Sequence, residues 1–172
     1  MRRQLTRLAL VLAAAWLAVG VAAQASATSW EDYDPDASEC GFLRIINEYR
    51  AENGVHALKL SATLGAAAEH HSIDMATNDV FSHTLSDGTT WKQNILNHRY
   101  LRGPATAENV AAARSSASGV FSLWVNSAGH RENMLDPEMW AIGIGRAYDA
   151  DSRYDWYWTT TFGAKSSRTI TC

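Results

Sequence analysis

The chain has 172 residues, of which 47% are hydrophobic and 19% are charged, and its 15 basic and 18 acidic residues give a formal net charge of −3. The length allows one domain with a sizeable core. An acidic chain without a run of Lys or Arg lacks the electrostatic footprint of a nucleic-acid-binding protein, so that class of partner is excluded.

The first segment has the pattern of a secretory signal peptide. Three arginines precede an apolar run from Leu8 to Ala23, and Ala25-Ser26-Ala27 forms a small-residue cleavage site. The alternative is an uncleaved membrane anchor, but the run is shorter than the ~20 residues that span a bilayer. Cleavage after Ala27 leaves 145 of the 172 residues and removes three positive charges and no acid, so the net charge falls from −3 to −6. We predict residues 1–27 as leader, residues 28–39 as an extended lead-in and residues 40–172 as one exported domain.

The mature chain has two cysteines, Cys40 and Cys172, which lie near its two ends. Export would place them in a compartment that permits disulfides. A bridge between them would close a loop of 132 residues, which is worth about 5 kcal/mol at most in the chain-entropy account. The alternative is two free thiols, one in a helix and one on a frayed tail. We predict the bridge.

Hydrophobic spacing predicts two helices in the first half of the mature chain. The first begins over Pro35 to Ser38 and ends at Asn53-Gly54, where glycine suits the left-handed position after a helix. His56 to Leu60 is a short connector, and the second helix begins after Ser61, a good N-cap, and ends at Asn78-Asp79. Both helices have an apolar stripe at helical spacing, formed by Phe42, Ile45, Ile46 and Tyr49 in the first and by Leu64, Ala68, His71 and Met75 in the second.

Two shorter helices and three strands are predicted further along. One helix runs from Trp91 to Tyr100 after Thr90, and another starts at Ser115 to Ser118 and is closed by the turn Ser127-Ala128-Gly129. Glu108 to Ala112 is a short apolar strand, and the last two strands form a hairpin around Asp149 to Arg153. Helices first and strands last indicate an α+β fold. The hairpin strands are Ile142 to Gly145 and Tyr154 to Phe162. In the first, isoleucine alternates with glycine, which suits a strand with one face against a closely approaching element.

Three polar side chains in separate segments are the candidate site: His83, Glu108 and His130. A carboxylate within an apolar run is costly to bury unless it is paired, so Glu108 is more informative than a surface glutamate. Two histidines and a carboxylate match an open zinc site with water in the fourth position. The competing interpretation is structural: His83 caps a helix end, Glu108 faces solvent on a strand edge, and His130 is a turn residue.

Two other groupings compete with this set. His70 and Asp74 have i, i+4 spacing and could share a metal ion, whereas His70 and His71 point about 100° apart on a helix and suit one core and one solvated histidine. Ser127 and Glu132 could form a serine–histidine–carboxylate group with His130 or His83, but nothing marks Ser127 as an activated nucleophile.

The ordered motifs resemble the CAP superfamily, which comprises cysteine-rich secretory proteins, antigen 5 and pathogenesis-related proteins and is also called the SCP domain. The similarity is greatest to the short secreted bacterial members and covers about Cys40 to Gly163. It implies an α-β-α sandwich, in which a small antiparallel sheet lies between helical layers around a central cleft. The motifs that carry it are FSHTLSDG, AENVAA, SLWVNSAGHRENMLDPEMWAIGIG and TTTFG.

The family cleft holds two histidines and two glutamates, and some members bind zinc there. By position the resemblance assigns His83, Glu108 and His130 to three of these four places. Ser127 stands where the second glutamate is expected, and Glu132 is a possible replacement. Ser127, Glu132 and Asn109 are therefore the candidates for lining the cleft, and zinc or another divalent cation is the implied cofactor.

Two functions follow from the resemblance. The first is a secreted, monomeric binding module with a divalent metal in the cleft and a lipid, sterol or other hydrophobic small molecule as ligand. The second is a metal-assisted peptidase or esterase in which bound zinc lowers the pKa of water to about 7. Because this sequence has Ser127 where the second glutamate is expected, the site has no clear general base. This favours a binding function over catalysis.

Overall fold

The computed structural model describes residues 29–101, 103 and 106–172. The predicted leader lies outside these residues. The described residues form five helices and four strands. The helices are α1 (Ala37–Glu52), α2 (Ala62–Thr77), α3 (Trp91–Asn97), α4 (Ala117–Val125) and α5 (Ala128–Leu135), and the strands are β1 (Lys59–Leu60), β2 (Thr106–Ala112), β3 (Ala141–Tyr148) and β4 (Trp156–Gly163). Their order along the chain is α1, β1, α2, α3, β2, α4, α5, β3 and β4.

The four strands form one mixed sheet in the order β1-β3-β4-β2. The β3–β4 pair is the predicted antiparallel hairpin, and β2 also pairs antiparallel with β4. β1 pairs parallel with β3, so the sheet is mixed rather than wholly antiparallel as the resemblance implied. The two-residue strand β1 was predicted as a plain connector because two residues carry no readable alternation. β2 lies at one edge of the sheet, where Glu108 is opposite Thr161 of β4.

Helices cover both faces of the sheet, which confirms the α-β-α sandwich. α1 and α4 pack on one face, where Phe42, Trp124 and Trp158 belong to the main core cluster. α2 and α3 pack on the other face, where Leu64 and Ile95 share a second cluster. Burying these apolar faces supplies most of the driving force for folding, at about 25 cal/mol per Å² of apolar surface.

The glycines of β3 allow α2 to lie directly on the sheet. A Cβ atom at Gly143 would overlap the backbone carbonyl of Leu64, and one at Gly145 would overlap the backbone of Glu69. Between these glycines, Ile144 faces the opposite core cluster with its side chain fully buried. The alternation of glycine with isoleucine therefore sets how closely helix and sheet approach.

The prediction that Ser127 to Gly129 is only a turn is wrong, because this segment starts α5. Ser127 is the N-cap of α5 in an extended conformation, although its hydroxyl makes no capping bond. The end of α5 is held by the buried side chain of Arg50, which donates to the carbonyl oxygens of Met134 and Met139. α5 is eight residues long and weakly amphipathic, so its sequence alone does not distinguish it from a loop. α3 also ends at Asn97, three residues before the predicted end.

The C-terminal tail returns to the body of the domain. The predicted disulfide joins Cys40 of α1 to Cys172, with 5.6 Å between their Cα atoms. Ser61 donates a hydrogen bond to the carbonyl oxygen of Ser167, and the amide of Ile170 donates to the carbonyl oxygen of Leu60. Within the described part of the chain, no helix is long and apolar enough to cross a membrane.

Candidate functional site

Glu108 is the centre of the candidate site. It lies on the edge strand β2 and is only 4% exposed. Its Oε1 atom accepts a hydrogen bond from Nδ1 of His83 (2.8 Å), and its Oε2 atom accepts one from Nδ1 of His71 (2.7 Å). Each carboxylate oxygen thus serves one imidazole, which provides the pairing that a buried carboxylate needs.

His71 is a member of this cluster that the sequence analysis did not assign to it. It lies on α2 with its ring fully buried, and its second nitrogen, Nε2, is 3.0 Å from the carbonyl oxygen of Ser82. Both ring nitrogens of His71 therefore lie within hydrogen-bond distance of an oxygen atom. His71 was placed on the core face of α2 by its spacing, but nothing in the sequence pairs it with Glu108, 37 residues away.

His83 is the accessible member of the cluster. Its side chain is 51% exposed, and it follows the end of α2 in an irregular segment. The hydrogen bond to Glu108 and the charge of that carboxylate raise the pKa of His83, although partial burial opposes the shift. Because Nδ1 is used for this bond, Nε2 is the nitrogen that His83 offers to a ligand.

His130 lies on α5, close enough to His83 for the charge of His83 to act on its ring, but within the described residues its ring shares no hydrogen bond with His83 or Glu108. Its Nδ1 atom is buried and has no hydrogen-bond partner among the described residues. Burial and the neighbouring charge of His83 lower the pKa of His130, which favours the neutral ring. The ring lies 6.2 Å from that of Trp124, measured between centroids. A neutral imidazole with an unshared nitrogen is suited to bind a metal ion.

Two asparagines fix α5 to β2 and thereby place His130. Asn109, predicted to line the cleft, is fully buried and donates through Nδ2 to the carbonyl oxygen of His130 (3.1 Å). Asn133 donates through Nδ2 to Oδ1 of Asn109 (2.8 Å) and lies 3.2 Å from the carbonyl oxygen of Glu108. Asn133 was not predicted, and its i, i+3 spacing from His130 would have identified it only if α5 had been recognised as a helix.

The remaining predicted residues lie outside this hydrogen-bonded group. Ser127 is half-buried at the start of α5, and Glu132 is exposed on the same helix. No hydrogen bond within the described structure joins either side chain to His83 or His130. His71, which was not predicted as a site residue, belongs to the hydrogen-bonded group through its bond to Glu108.

His70 and Asp74 do not share a site, because their partners are different residues. Nδ1 of His70 lies 2.9 Å from Oδ1 of Asn94. The carboxylate of Asp74 accepts hydrogen bonds from the backbone and the hydroxyl of Ser86. The geometry therefore gives no support to a metal ion shared by His70 and Asp74.

The donor atoms fit a two-histidine site better than the predicted three-ligand site. Within the described residues, no group of three or more His, Cys, Asp or Glu side chains is arranged to hold a metal ion. Glu108 uses both oxygens on imidazoles, so its arrangement is that of a supporting carboxylate behind a ligand. The available nitrogens are Nε2 of His83 and the buried Nδ1 of His130.

An α-β-α sandwich with a histidine–glutamate cluster beside its edge strand defines a protein of the SCP-domain class. The chain belongs to the cysteine-rich secretory protein (CAP) family, whose profile matches residues 43–162. This assignment confirms the resemblance stated from the sequence motifs.

Several bacterial proteins are similar to this chain. An uncharacterized Bacillus subtilis protein, YkwD, is 28% identical over 110 residues, which are 63% of this chain and 42% of the relative. The solved structure of an extracellular SCP-domain protein from Bacillus anthracis has a TM-score of 0.64 at 26% identity and covers 73% of this chain and 39% of its own. An outer surface protein from Borrelia burgdorferi has a TM-score of 0.65 at 26% identity, and the match covers 78% of this chain and 98% of that protein.

The lengths of these relatives differ from that of this chain. The match spans less than half of the Bacillus subtilis relative and of the Bacillus anthracis structure, and nearly all of the Borrelia burgdorferi protein. The similar structures described as extracellular or outer-surface proteins place this fold outside the cell in those organisms.

Proposed function

We propose that this CAP protein is an exported binding module that holds a divalent cation, such as zinc, between His83 and His130 and takes a small amphipathic ligand beside it. The observation that carries the proposal is the buried, unpartnered Nδ1 of His130 next to a histidine whose other nitrogen is fixed by Glu108. Imidazole is the commonest protein ligand for zinc.

Glu108 and His71 act as positioning residues in this proposal. Glu108 accepts the Nδ1 proton of His83, which fixes the tautomer and leaves Nε2 as the donor atom. His71 holds the second oxygen of Glu108 and is itself fixed to the carbonyl oxygen of Ser82. A bound cation would supply a positive charge and open coordination positions for an anionic or carbonyl group of the ligand.

The rim of the cluster offers an apolar surface for the rest of the ligand. Phe81, two residues before His83, is 50% exposed. Its ring makes an edge-on contact with Tyr154, with 6.0 Å between centroids. An exposed aromatic pair beside polar donors suits a ligand with an apolar body and a polar head, such as a lipid. Because both oxygens of Glu108 are occupied by imidazoles, this carboxylate is not a free general base, which favours binding over hydrolysis.

Zinc titration of the metal-free mature protein tests the cation site. We expect one equivalent to bind to the wild type, and we expect His83→Ala and His130→Ala each to weaken binding at least tenfold, since each removes one of two donor nitrogens. His56→Ala is the matched control, because the His56 ring stacks on Trp140 and lies far from Glu108 along the chain. Equal zinc affinity in the His83 and His130 variants and the control would refute the site.

A second measurement tests the ligand. The protein is equilibrated with a lipid extract, re-purified and analysed by mass spectrometry. We expect lipid retained by the wild type and reduced in Phe81→Ser, whereas the variant Leu123→Ser, which removes another partly exposed apolar side chain on α4, retains it. Turnover of ester or peptide substrates that disappears in His130→Ala would instead support the hydrolase.

A further inference from the structure

A second groove lies between the end of α3 and the C-terminal tail. Its volume is about 780 Å³. The cationic side chains that line it are Arg99, Lys165 and Arg168, and Ser166 and Ser167 lie between the last two. None of these residues contacts the histidine–glutamate cluster, so the groove is separate from the site described above.

The three cations lack acidic partners. Arg99, Lys165 and Arg168 are exposed, and no ion pair within the described residues involves any of them. Glu31 lines two adjoining hollows but makes no ion pair with them. In a mature domain whose predicted net charge is −6, an uncompensated cationic groove would attract anions locally while the rest of the surface repels them.

The backbone of the groove is held in place by the domain. The hydroxyl of Tyr100 donates to the carbonyl oxygen of Lys165 (2.7 Å) and accepts from its amide (3.1 Å). The amide of Ala62 donates to the carbonyl oxygen of Arg168. Since these anchors come from α2 and from the segment after α3, the tail presents its cations in a fixed arrangement, which lowers the entropy cost of binding.

The groove continues into two smaller hollows that share Trp30. Arg99 also lines a hollow of about 530 Å³ together with Trp30 and Asn97. Arg168 lines another of about 440 Å³, and its guanidinium group lies 3.7 Å from the centroid of the Trp30 ring. A half-buried indole beside arginines, amides and hydroxyls suits a ligand with both apolar ring faces and charged groups.

We infer that this groove binds an acidic polysaccharide. Its carboxylate or phosphate groups would pair with Arg99, Lys165 and Arg168, while a sugar ring packs against Trp30. Guanidinium groups match the planar geometry of carboxylates and phosphates. The groove shares Arg99 with one hollow and Arg168 with the other, and three neighbouring hollows fit a chain of several sugar units rather than a single small anion. This inference does not depend on the cation site.

Polygalacturonate is the probe, and its fully methyl-esterified form is the control ligand with the same backbone and no charge. We expect the wild-type mature protein to bind polygalacturonate, to bind the ester at least tenfold more weakly, and to lose affinity as salt is raised. Lys165→Gln/Arg168→Gln should weaken binding of polygalacturonate at least tenfold, because two charge-assisted contacts are lost.

The matched variant is Arg44→Gln/Arg114→Gln, which removes two exposed cations elsewhere and should keep wild-type affinity. Equal losses in both double variants, or equal binding of the ester, would overturn the inference, as would no binding by the wild type. Trp30→Ala should weaken binding severalfold, and an unchanged affinity would remove Trp30 from the site. Sodium polyphosphate, a polyanion without sugar rings, should bind equally well to the wild type and to Trp30→Ala.

Discussion

Glu108 shows at the level of a single residue how a buried carboxylate organises its surroundings. It holds one fully buried imidazole and one half-exposed imidazole. Removing one partner from such a group leaves a buried polar atom without its hydrogen bond, and that loss is larger than the net contribution of the bond itself.

We expect Glu108→Gln to lower the free energy of unfolding by about 1–3 kcal/mol, because the amide keeps one acceptor oxygen where the carboxylate offers two, so one imidazole loses its buried hydrogen bond. Urea unfolding at neutral pH measures the change. Glu132→Gln is the control, since Glu132 is exposed, and it should change stability by less than about 0.5 kcal/mol. If the two variants unfold at the same urea concentration, the buried hydrogen bonds of Glu108 contribute nothing to stability.

Glu39 is a second buried carboxyl group, and its surroundings are less favourable to charge. Burial raises its pKa to about 8, and the neighbouring carboxylates of Asp36 and Glu69 act in the same direction, whereas hydrogen bonds from the amides of Asp36 and Arg146 oppose it. Burial and the charge of Glu39 also raise the pKa of Tyr33. The folded state therefore holds the Glu39 proton more tightly than the unfolded state, in which the pKa is about 4.5.

The stability linked to Glu39 is fully present below pH 4.5 and is lost as pH rises through about 8. The slope is at most about 1.4 kcal/mol per pH unit for one group. We expect the difference in free energy of unfolding between the wild type and Glu39→Ala to shrink over this interval. Glu52→Ala, an exposed change in the same helix, should give a difference that does not vary with pH. Chemical unfolding at several pH values provides the measurement.

At the level of elements, the approach of α2 to β3 is the contact that the sequence pattern anticipated best. The alternation of Gly143 and Gly145 with isoleucines was interpreted as one strand face against a close neighbour, and that neighbour is α2. The pattern did not identify α2 as the neighbour, because periodicity describes one element at a time.

We expect Gly145→Ala to destabilise the protein by about 1–3 kcal/mol, because the added methyl group meets helix backbone that cannot rotate away. Gly129→Ala in α5 is the matched control, since a Cβ there meets nothing within 4 Å, and alanine is the better helix former. Thermal unfolding should show a lower midpoint for the first variant and an unchanged or higher midpoint for the second. The opposite order would contradict the packing described here.

At the level of the whole molecule, the disulfide joins the first helix to the last residue and closes nearly the entire domain. We expect Cys40→Ser/Cys172→Ser to lower the free energy of unfolding by about 2–5 kcal/mol.

Because the tail carries Lys165 and Arg168, binding of polygalacturonate should weaken in the same variant, whereas zinc binding at His83 and His130 should persist. Reducing agent should reproduce these effects in the wild type. It should have no effect on the double variant, which is the control for the reduction experiment.

The sequence by itself determined the elements whose residues form strong periodic patterns. α1, α2, α4 and the hairpin of β3 and β4 were predicted because each buries an apolar face along its own length. The family motifs then gave the α-β-α arrangement and named His83, Glu108 and His130 as a group. These predictions depend on local spacing and on residue types that have few alternative roles.

Only the tertiary structure decided which atoms of these residues meet. The bond between His71 and Glu108, the buried nitrogen of His130 and the asparagine link from α5 to β2 join segments far apart in the chain. The strand β1 and the helix α5 were missed for a related reason, since they are too short to form without the contacts they make. Local sequence limits the conformation of a segment, whereas the partner of a buried polar group is fixed by the whole fold that removes it from water.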